Sequence, residues 1–194
     1  MEQKRIYDVC NNVPKGMIVV VKDWDLVIKK RTIEETVNKI NFLNFDPVFS
    51  QYHEHPRLLH AVSQLIGENI SLINSMVINK PPGSKWHPPH QNFKNQMFFT
   101  ISDVDVVAPV SKRLSLTPME PGDTVIFHSL TVHGSWANTS NLFRKAITAV
   151  YSSQECEYID VKGSLQETFE IEINNELKRT HGSDLQHLVI NLSL

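Results

Sequence analysis

His133, Ser135 and Arg144 are the side chains with the clearest chemistry in this sequence. The run Thr131–Trp136 reads as a strand, where residues two apart point to one side, so His133 and Ser135 share a face. Eleven residues past His133, Arg144 opens a second β-rich run and carries a permanent cation whose fork of donors suits a carboxylate. A histidine, a hydroxyl and an arginine brought together by short strands suggest a metal site with an acidic cosubstrate beside it. Upstream stand His87 and His90, and His90-Gln91-Asn92 repeats the two-residue spacing. Two histidines and a carboxylate on one face of an octahedral iron form the facial triad of non-haem Fe(II) oxygenases. Its first two ligands come from one strand and its second histidine from a distant one. Here His90-Gln91-Asn92 and then His133 fall in that order. 2-Oxoglutarate and oxygen would fill the remaining iron positions, with Arg144 and Ser135 on the far carboxylate. Taken singly, each residue also fits a structural role: a satisfied core or loop histidine, or a salt-bridged strand arginine. Spacing alone does not decide between these readings.

These residues need strands to position them. The runs 17–21 and 25–29 are rich in β-branched residues and predict short strands. Thr32-Ile33-Glu34-Glu35 is a capping box that predicts a helix bearing Ile33, Val37 and Ile40 on its core stripe, with Lys39 off the stripe and solvated. A second helix starts at Pro56 and stops before Gly67. Ile70–Ile78 predicts a strand ended by Lys80-Pro81-Pro82-Gly83. Met97–Ile101 and Val104–Val107 read as short strands, and Pro121-Gly122 as a turn. Thr124–Phe127 follows as a strand. In Arg144–Tyr151 the face Arg144, Ala146, Thr148 and Val150 is small apart from the arginine, which predicts ligand space around a buried guanidinium. Ile147, Ala149 and Tyr151 pack away from that space. Tyr158–Val161 closes the β-rich region, and Ser164–Glu167 caps a last helix carrying Phe169, Ile173 and Leu177, with Gly182 as its stop.

With 194 residues and a net charge of −2, one domain spanning 1–194 is expected, with no nucleic-acid partner. No apolar run is long enough to span a bilayer. Cys10 and Cys156 read as isolated structural thiols of a reducing compartment. Nine histidines exceed a bland need, and five of them, His87, His90, His128, His133 and His181, gather along the chemical stretches.

Six segments carry a resemblance to a known family: Met76–Gly83, His87–Gln91, Glu120–His128, Val132–Ser135, Phe143–Ile147 and Tyr158–Gly163. They resemble the phytanoyl-CoA dioxygenases, Fe(II)- and 2-oxoglutarate-dependent oxygenases, from about residue 12 to residue 180. The resemblance implies a mainly β chain with flanking helices around a double-stranded β-helix (jelly-roll, cupin-like) core. It implies peroxisomal 2-hydroxylation of 3-methyl-branched acyl-CoA in fatty acid α-oxidation. Fe(II), 2-oxoglutarate and ascorbate are the implied cofactors. By position, His90, Asn92 and His133 would hold iron, while Arg144, Ser135, Met76 and Lys39 would hold the cosubstrate. His128 falls on a family histidine outside the triad and is read as structural.

Two departures qualify the likeness. The carboxylate ligand position is Asn92, an amide that brings no charge to the metal. The chain is also short at its start and between residues 93 and 119, so the jelly roll is expected to be incomplete. These departures motivate a rival reading, a catalytically inactive member or shortened product of the same family. A third reading is a cupin-like structural metal protein using His87, His90 and His133.

Overall fold

The computed structural model describes residues 18–91, 99–100, 117–157, 160–163 and 190–192, with scattered positions between 167 and 178. In order these form β1 (Val19–Lys22), α1 (Trp24–Ile28), α2 (Ile33–Thr36) and β2 (Val37–Asn41), then a 3-10 turn (Leu43–Phe45), α3 (Ser50–His53) and α4 (Pro56–Ile66). There follow β3 (Ile70–Lys80), β4 (His87–Gln91), β5 (Phe99–Thr100), β6 (His133–Ser135), β7 (Arg144–Ser153) and β8 (Ile190–Leu192). Strands dominate and pair antiparallel in two sheets, with helices flanking the larger one. The larger sheet runs β1-β2-β3-β7, with β8 also on β3, and the smaller runs β5-β4-β6.

β3 is the axis of the larger sheet. β7 pairs along its whole length, from Ile70↔Ser153 to Lys80↔Arg144. Its other edge is shared, β2 taking Met76 to Ile78 and β8 taking Ile70 to Leu72. One face of this sheet is packed. Val37, Ile40, Leu43, Phe49 and Val77 form one buried cluster, with Ile147 against it. Leu59, Val62, Ile70, Leu72 and Leu192 form the other, with Ala149 and Tyr151 against it. Fully burying side chains of this size stabilises by about 1.5–3 kcal/mol each, so these clusters fix which face of β7 turns inward. The expected division of β7 therefore holds: Ile147, Ala149 and Tyr151 pack, and Arg144, Ala146, Thr148 and Val150 face the other way.

Buried amides repair the irregular backbone. Ile73 is the extra residue of a β-bulge opposite β7. Asn44 serves it on both sides, donating from Nδ2 to the Ile73 carbonyl at 3.2 Å and accepting from the Ser75 amide at 2.7 Å. Asn79 donates to the carbonyls of Glu34 (2.9 Å) and Val37 (2.8 Å), which are released where α2 gives way to β2.

Several expectations need correction. Residues 25–29 are not a strand, because Asp23 caps α1 by accepting from the amides of Asp25 and Leu26. A local cap outweighs the β preference of Leu26, Val27 and Ile28. The capping box at Thr32 and Glu35 is present, yet its helix ends at Thr36. Val37 and Ile40 still share the core face, because Asn38 bulges out of the pairing with β1. A three-residue spacing thus fits a bulged strand as well as a helix, and Lys39 is a half-buried strand residue, not a solvated helical one. Thr124–Phe127 is not a strand; its Val125, Ile126 and Phe127 are exposed. The Thr131–Trp136 strand contracts to His133–Ser135. Arg144 is exposed, not buried. The helix from Pro56 to Ile66 and the long β3 follow the sequence reading, β3 running on through Lys80. Among the described residues, no helix is long and apolar enough to cross a membrane. Asn92, Val104–Val107, Ser164, Phe169, Ile173, Leu177, His181, Gly182, Cys10 and Tyr158 lie outside the described residues.

Candidate metal and cosubstrate site

The small sheet brings the two candidate metal histidines together. In β4, Pro88 and Pro89 have no amide hydrogen to donate, so the pairing with β6 jumps from His87↔Ser135 to His90↔His133. The kinked Pro-Pro segment lies directly on Gly134. A Cβ there would meet the His87 carbonyl oxygen at 2.8 Å and the Pro89 nitrogen at 3.2 Å, so only glycine lets the strands close. With the strands closed, the His90 and His133 rings lie 4.2 Å apart. His87 stands edge-on to His90 at 4.5 Å, and Phe127 packs on His133 at 4.7 Å.

Second partners set the tautomers. His90 Nδ1 lies 3.0 Å from the Pro88 carbonyl, and His133 Nδ1 lies 2.9 Å from the Thr131 carbonyl. A carbonyl only accepts, so both Nδ1 atoms carry hydrogen and each lone pair sits on Nε2, the arrangement of a metal-binding histidine. Burial holds the His90 pKa below its usual value, against the opposing pull of the Pro88 carbonyl and with Lys39 adding to the lowering. His87 is pushed down to about 4, chiefly by burial and then by His90, Lys39, Lys80 and His133. Neutral imidazoles are the form a metal requires. Among the described residues, no three His, Cys, Asp or Glu side chains are placed to hold a metal ion. That counts against the structural metal centre of His87, His90 and His133. A triad completed by Asn92 would draw its third ligand from outside both that residue set and the described residues.

Three of the four cosubstrate candidates lie on one face of the larger sheet; Ser135 lies on β6 of the smaller one. Directly paired strand residues point the same way, so Lys39↔Ile78, Asn41↔Met76, Met76↔Thr148 and Lys80↔Arg144 share the face opposite Val77 and Ile147. Lys39, Met76 and Arg144 thus stand on one surface. Burial pushes the Lys39 amine below its usual pKa. Thr148 Oγ1, on the residue paired with Met76, is buried and has no hydrogen-bond partner among the described residues. Arg144 donates to the carbonyl of Trp136, the residue after Ser135. Two imidazoles with Nε2 lone pairs, a strip of cations and an unsatisfied hydroxyl suit a divalent metal with a dianionic ligand.

Sequence reasoning missed Lys80, Gly134 and Asn138. In the sequence Lys80 reads only as part of a strand stop, yet its ammonium reaches Ser135 and Trp136. Its signal is position: four residues after Met76 in an unbroken strand, it returns to the same face. Asn138 donates to the carbonyls of Lys80 (2.8 Å) and Leu142 (2.7 Å), fastening the loop between β6 and β7 to the end of β3.

Comparison with known proteins points to one family. Residues 105–146 match the family model described as "Phytanoyl-CoA dioxygenase (PhyH)". A "Probable phytanoyl-CoA dioxygenase" of Caenorhabditis elegans is 28% identical, over 88% of this chain and 73% of its own length. The peroxisomal phytanoyl-CoA dioxygenase of Rattus norvegicus is 30% identical, over 87% and 65%. That of Homo sapiens is 31% identical, over 82% and 62%. Over most of its length the chain is similar to members of the phytanoyl-CoA dioxygenase family. It spans roughly two thirds of the length of these relatives. The match to the C. elegans protein extends over 233 positions, more than the 194 residues of the chain, so that relative carries residues without a counterpart here.

Proposed function

We propose that this chain is an Fe(II)- and 2-oxoglutarate-dependent oxygenase that 2-hydroxylates 3-methyl-branched (phytanoyl-type) acyl-CoA. The observation that carries the reading is the convergence of His90 and His133 in one sheet with Lys39, Met76, Ser135 and Arg144 around the neighbouring face. His90 and His133 would hold the metal through Nε2, with the Asn92 amide at the third position. Arg144 and Ser135 would grip the far carboxylate of 2-oxoglutarate, and Lys39 and Met76 would line its berth. When bound, iron with 2-oxoglutarate supplies oxygen activation coupled to loss of carbon dioxide and formation of succinate, with ascorbate as reductant. The protein's own part is to orient the dicarboxylate, present both histidines through Nε2 and present the acyl-CoA. In this reading the two sheets belong to a double-stranded β-helix, a single domain over 1–194 shortened between residues 93 and 119. Relatives named as peroxisomal support that organelle and the α-oxidation of fatty acids as its setting.

The amide at Asn92 favours a second reading, a member of the family that binds ligand without turnover. Anaerobic addition of Fe(II) and 2-oxoglutarate to folded protein tests both. A visible charge-transfer band followed by succinate on admitting oxygen is expected of the enzyme. Activity that arises only in Asn92→Asp supports the inactive reading, and the absence of band and succinate in both forms overturns the oxygenase reading.

A further inference from the structure

Lys80 is the last residue of β3, and Pro81 and Pro82 end the ladder after it. A lysine at a strand end ordinarily carries its ammonium to water. This one is 9% exposed. Burying an ammonium is costly unless each of its three hydrogens finds an acceptor. Here they find the Trp136 carbonyl at 2.8 Å, Ser135 Oγ at 3.0 Å and the Ser135 carbonyl at 3.3 Å. All three acceptors lie on β6 or the residue after it, so one side chain of the larger sheet ties down the smaller one. The tie falls two residues after His133.

The direction of the middle bond matters most. An ammonium has no lone pair, so Nζ donates and Ser135 Oγ accepts. The hydroxyl hydrogen must then point away from Lys80. Arg144, paired with Lys80 across β3 and β7, donates to the same Trp136 carbonyl, so its guanidinium is anchored on the residue next to Ser135. Ser135 and Arg144 are both exposed, which leaves this pair open to an anion from solvent.

We propose that Lys80 is a positioning residue: its ammonium holds Ser135 so that the hydroxyl donates to the same carboxylate that Arg144 grips. The proposal rests on the reading of Ser135 and Arg144 as the cosubstrate clamp, and its test separates the two. Full-chain protein with Mn(II) is titrated calorimetrically with 2-oxoglutarate, for the wild type, Ser135→Ala, Lys80→Met and the double variant. Each single variant is expected to weaken binding by about tenfold or more, the scale of one lost charge-assisted hydrogen bond. The double variant is expected to bind no more weakly than Lys80→Met, because both changes remove the same donation. A purely structural lysine would give losses that add. Additive losses, or unchanged binding in Lys80→Met, overturn the proposal and leave the clamp standing. Should Lys80→Met lose its cooperative melt, Lys80→Arg replaces it. Arginine keeps a cation for the carbonyls but sets a planar fork where a point ammonium sat. A loss of about threefold or more is expected there on the same basis, one that Ser135→Ala does not deepen; additivity or no loss overturns the proposal again. Wild-type protein that binds no 2-oxoglutarate overturns the clamp, and this proposal with it.

Discussion

Gly134→Ala isolates the contact that brings the candidate metal histidines together. The new Cβ would sit 2.8 Å from the His87 carbonyl oxygen, where ordinary contact begins at 3.4 Å, so β4 and β6 must part by about 0.6 Å. The obstacle is backbone on every side, His87 oxygen, Pro89 nitrogen and Pro88 carbon, and no flexible side chain can swing clear. Gly134 has no left-handed φ to complicate the change, so the effect is steric. Overpacking of this kind costs about 1–3 kcal/mol. In a chain of this size each kcal/mol lowers the melting temperature by about 2–4 °C. The functional loss should be larger than the structural one, because a metal site tolerates displacements of only about 0.5 Å. Widening the gap between His90 and His133 should weaken Mn(II) or Co(II) binding by about tenfold or more, in the range seen when support around metal ligands is removed. Metal titration and a thermal melt on the same preparation read both effects. A Gly134→Ala protein that melts and binds metal like the wild type refutes the argument. One that melts lower but binds metal normally refutes its second half, the coupling of strand spacing to ligand geometry.

Other perturbations test separate parts of the fold and site. Asn44→Ala leaves the Ile73 carbonyl and the Ser75 amide without their buried partner and should cost about 2–4 kcal/mol, read as a lower denaturation midpoint. His53 is buried against Ser75, with Glu54 alongside and Asp46 near, and burial holds its pKa below the usual histidine value despite those acids. Its folded pKa is depressed, so the unfolded chain takes up the proton first; the stability it contributes is present above about pH 6.5 and lost as the pH falls below that. Melting temperatures between pH 7.5 and 5 should therefore decline less steeply in His53→Asn than in the wild type. Arg144→Gln should raise the 2-oxoglutarate dissociation constant about tenfold or more while leaving the melting temperature nearly unchanged, since the arginine is exposed. An equal loss of stability would mean that its bond to the Trp136 carbonyl is what matters.

Much of the frame was legible because it is encoded locally. The Thr32–Glu35 box, the Pro56 start and Gly67 stop, and the proline end of β3 each rest on backbone chemistry within a few residues. What was misread depended on partners distant in sequence. Val37 and Ile40 are three apart, which spells a helix in isolation; only the pairing with β1, and the bulge at Asn38, makes a strand of the same spacing. Thr124–Phe127 has the composition of a strand, but composition cannot supply the neighbour a strand needs. At the site, His133, Ser135 and Arg144 were visible because their types and spacing are chemically explicit. Gly134 and Lys80 were not, because a missing Cβ and a buried ammonium acquire meaning only from what lies against them.

The charges on this face argue for what it binds. Among the described residues, Lys80 and Arg144, paired across β3 and β7, rest on carbonyls and a hydroxyl, not on carboxylates. Neutral acceptors satisfy donors without cancelling charge, so the pair keeps its positive field, and the downward pressure on the Lys80 pKa, to about 8, comes from burial and then from Arg144. A fold that needed only a strap between its sheets could have used a neutral amide here, as it does at Asn138 a few residues on. Holding two like charges together at a strand end is costly unless an anion repays it when it binds. Burial first, and then neighbouring positive charge, lowers the proton affinity of His87 and His90. With an amide in place of a carboxylate at Asn92, a bound divalent metal would keep more of its charge, and a dicarboxylate beside Arg144 would be its natural counter-ion. The two cations on this face therefore ask for an anion, which is what the proposed reading sets beside Arg144.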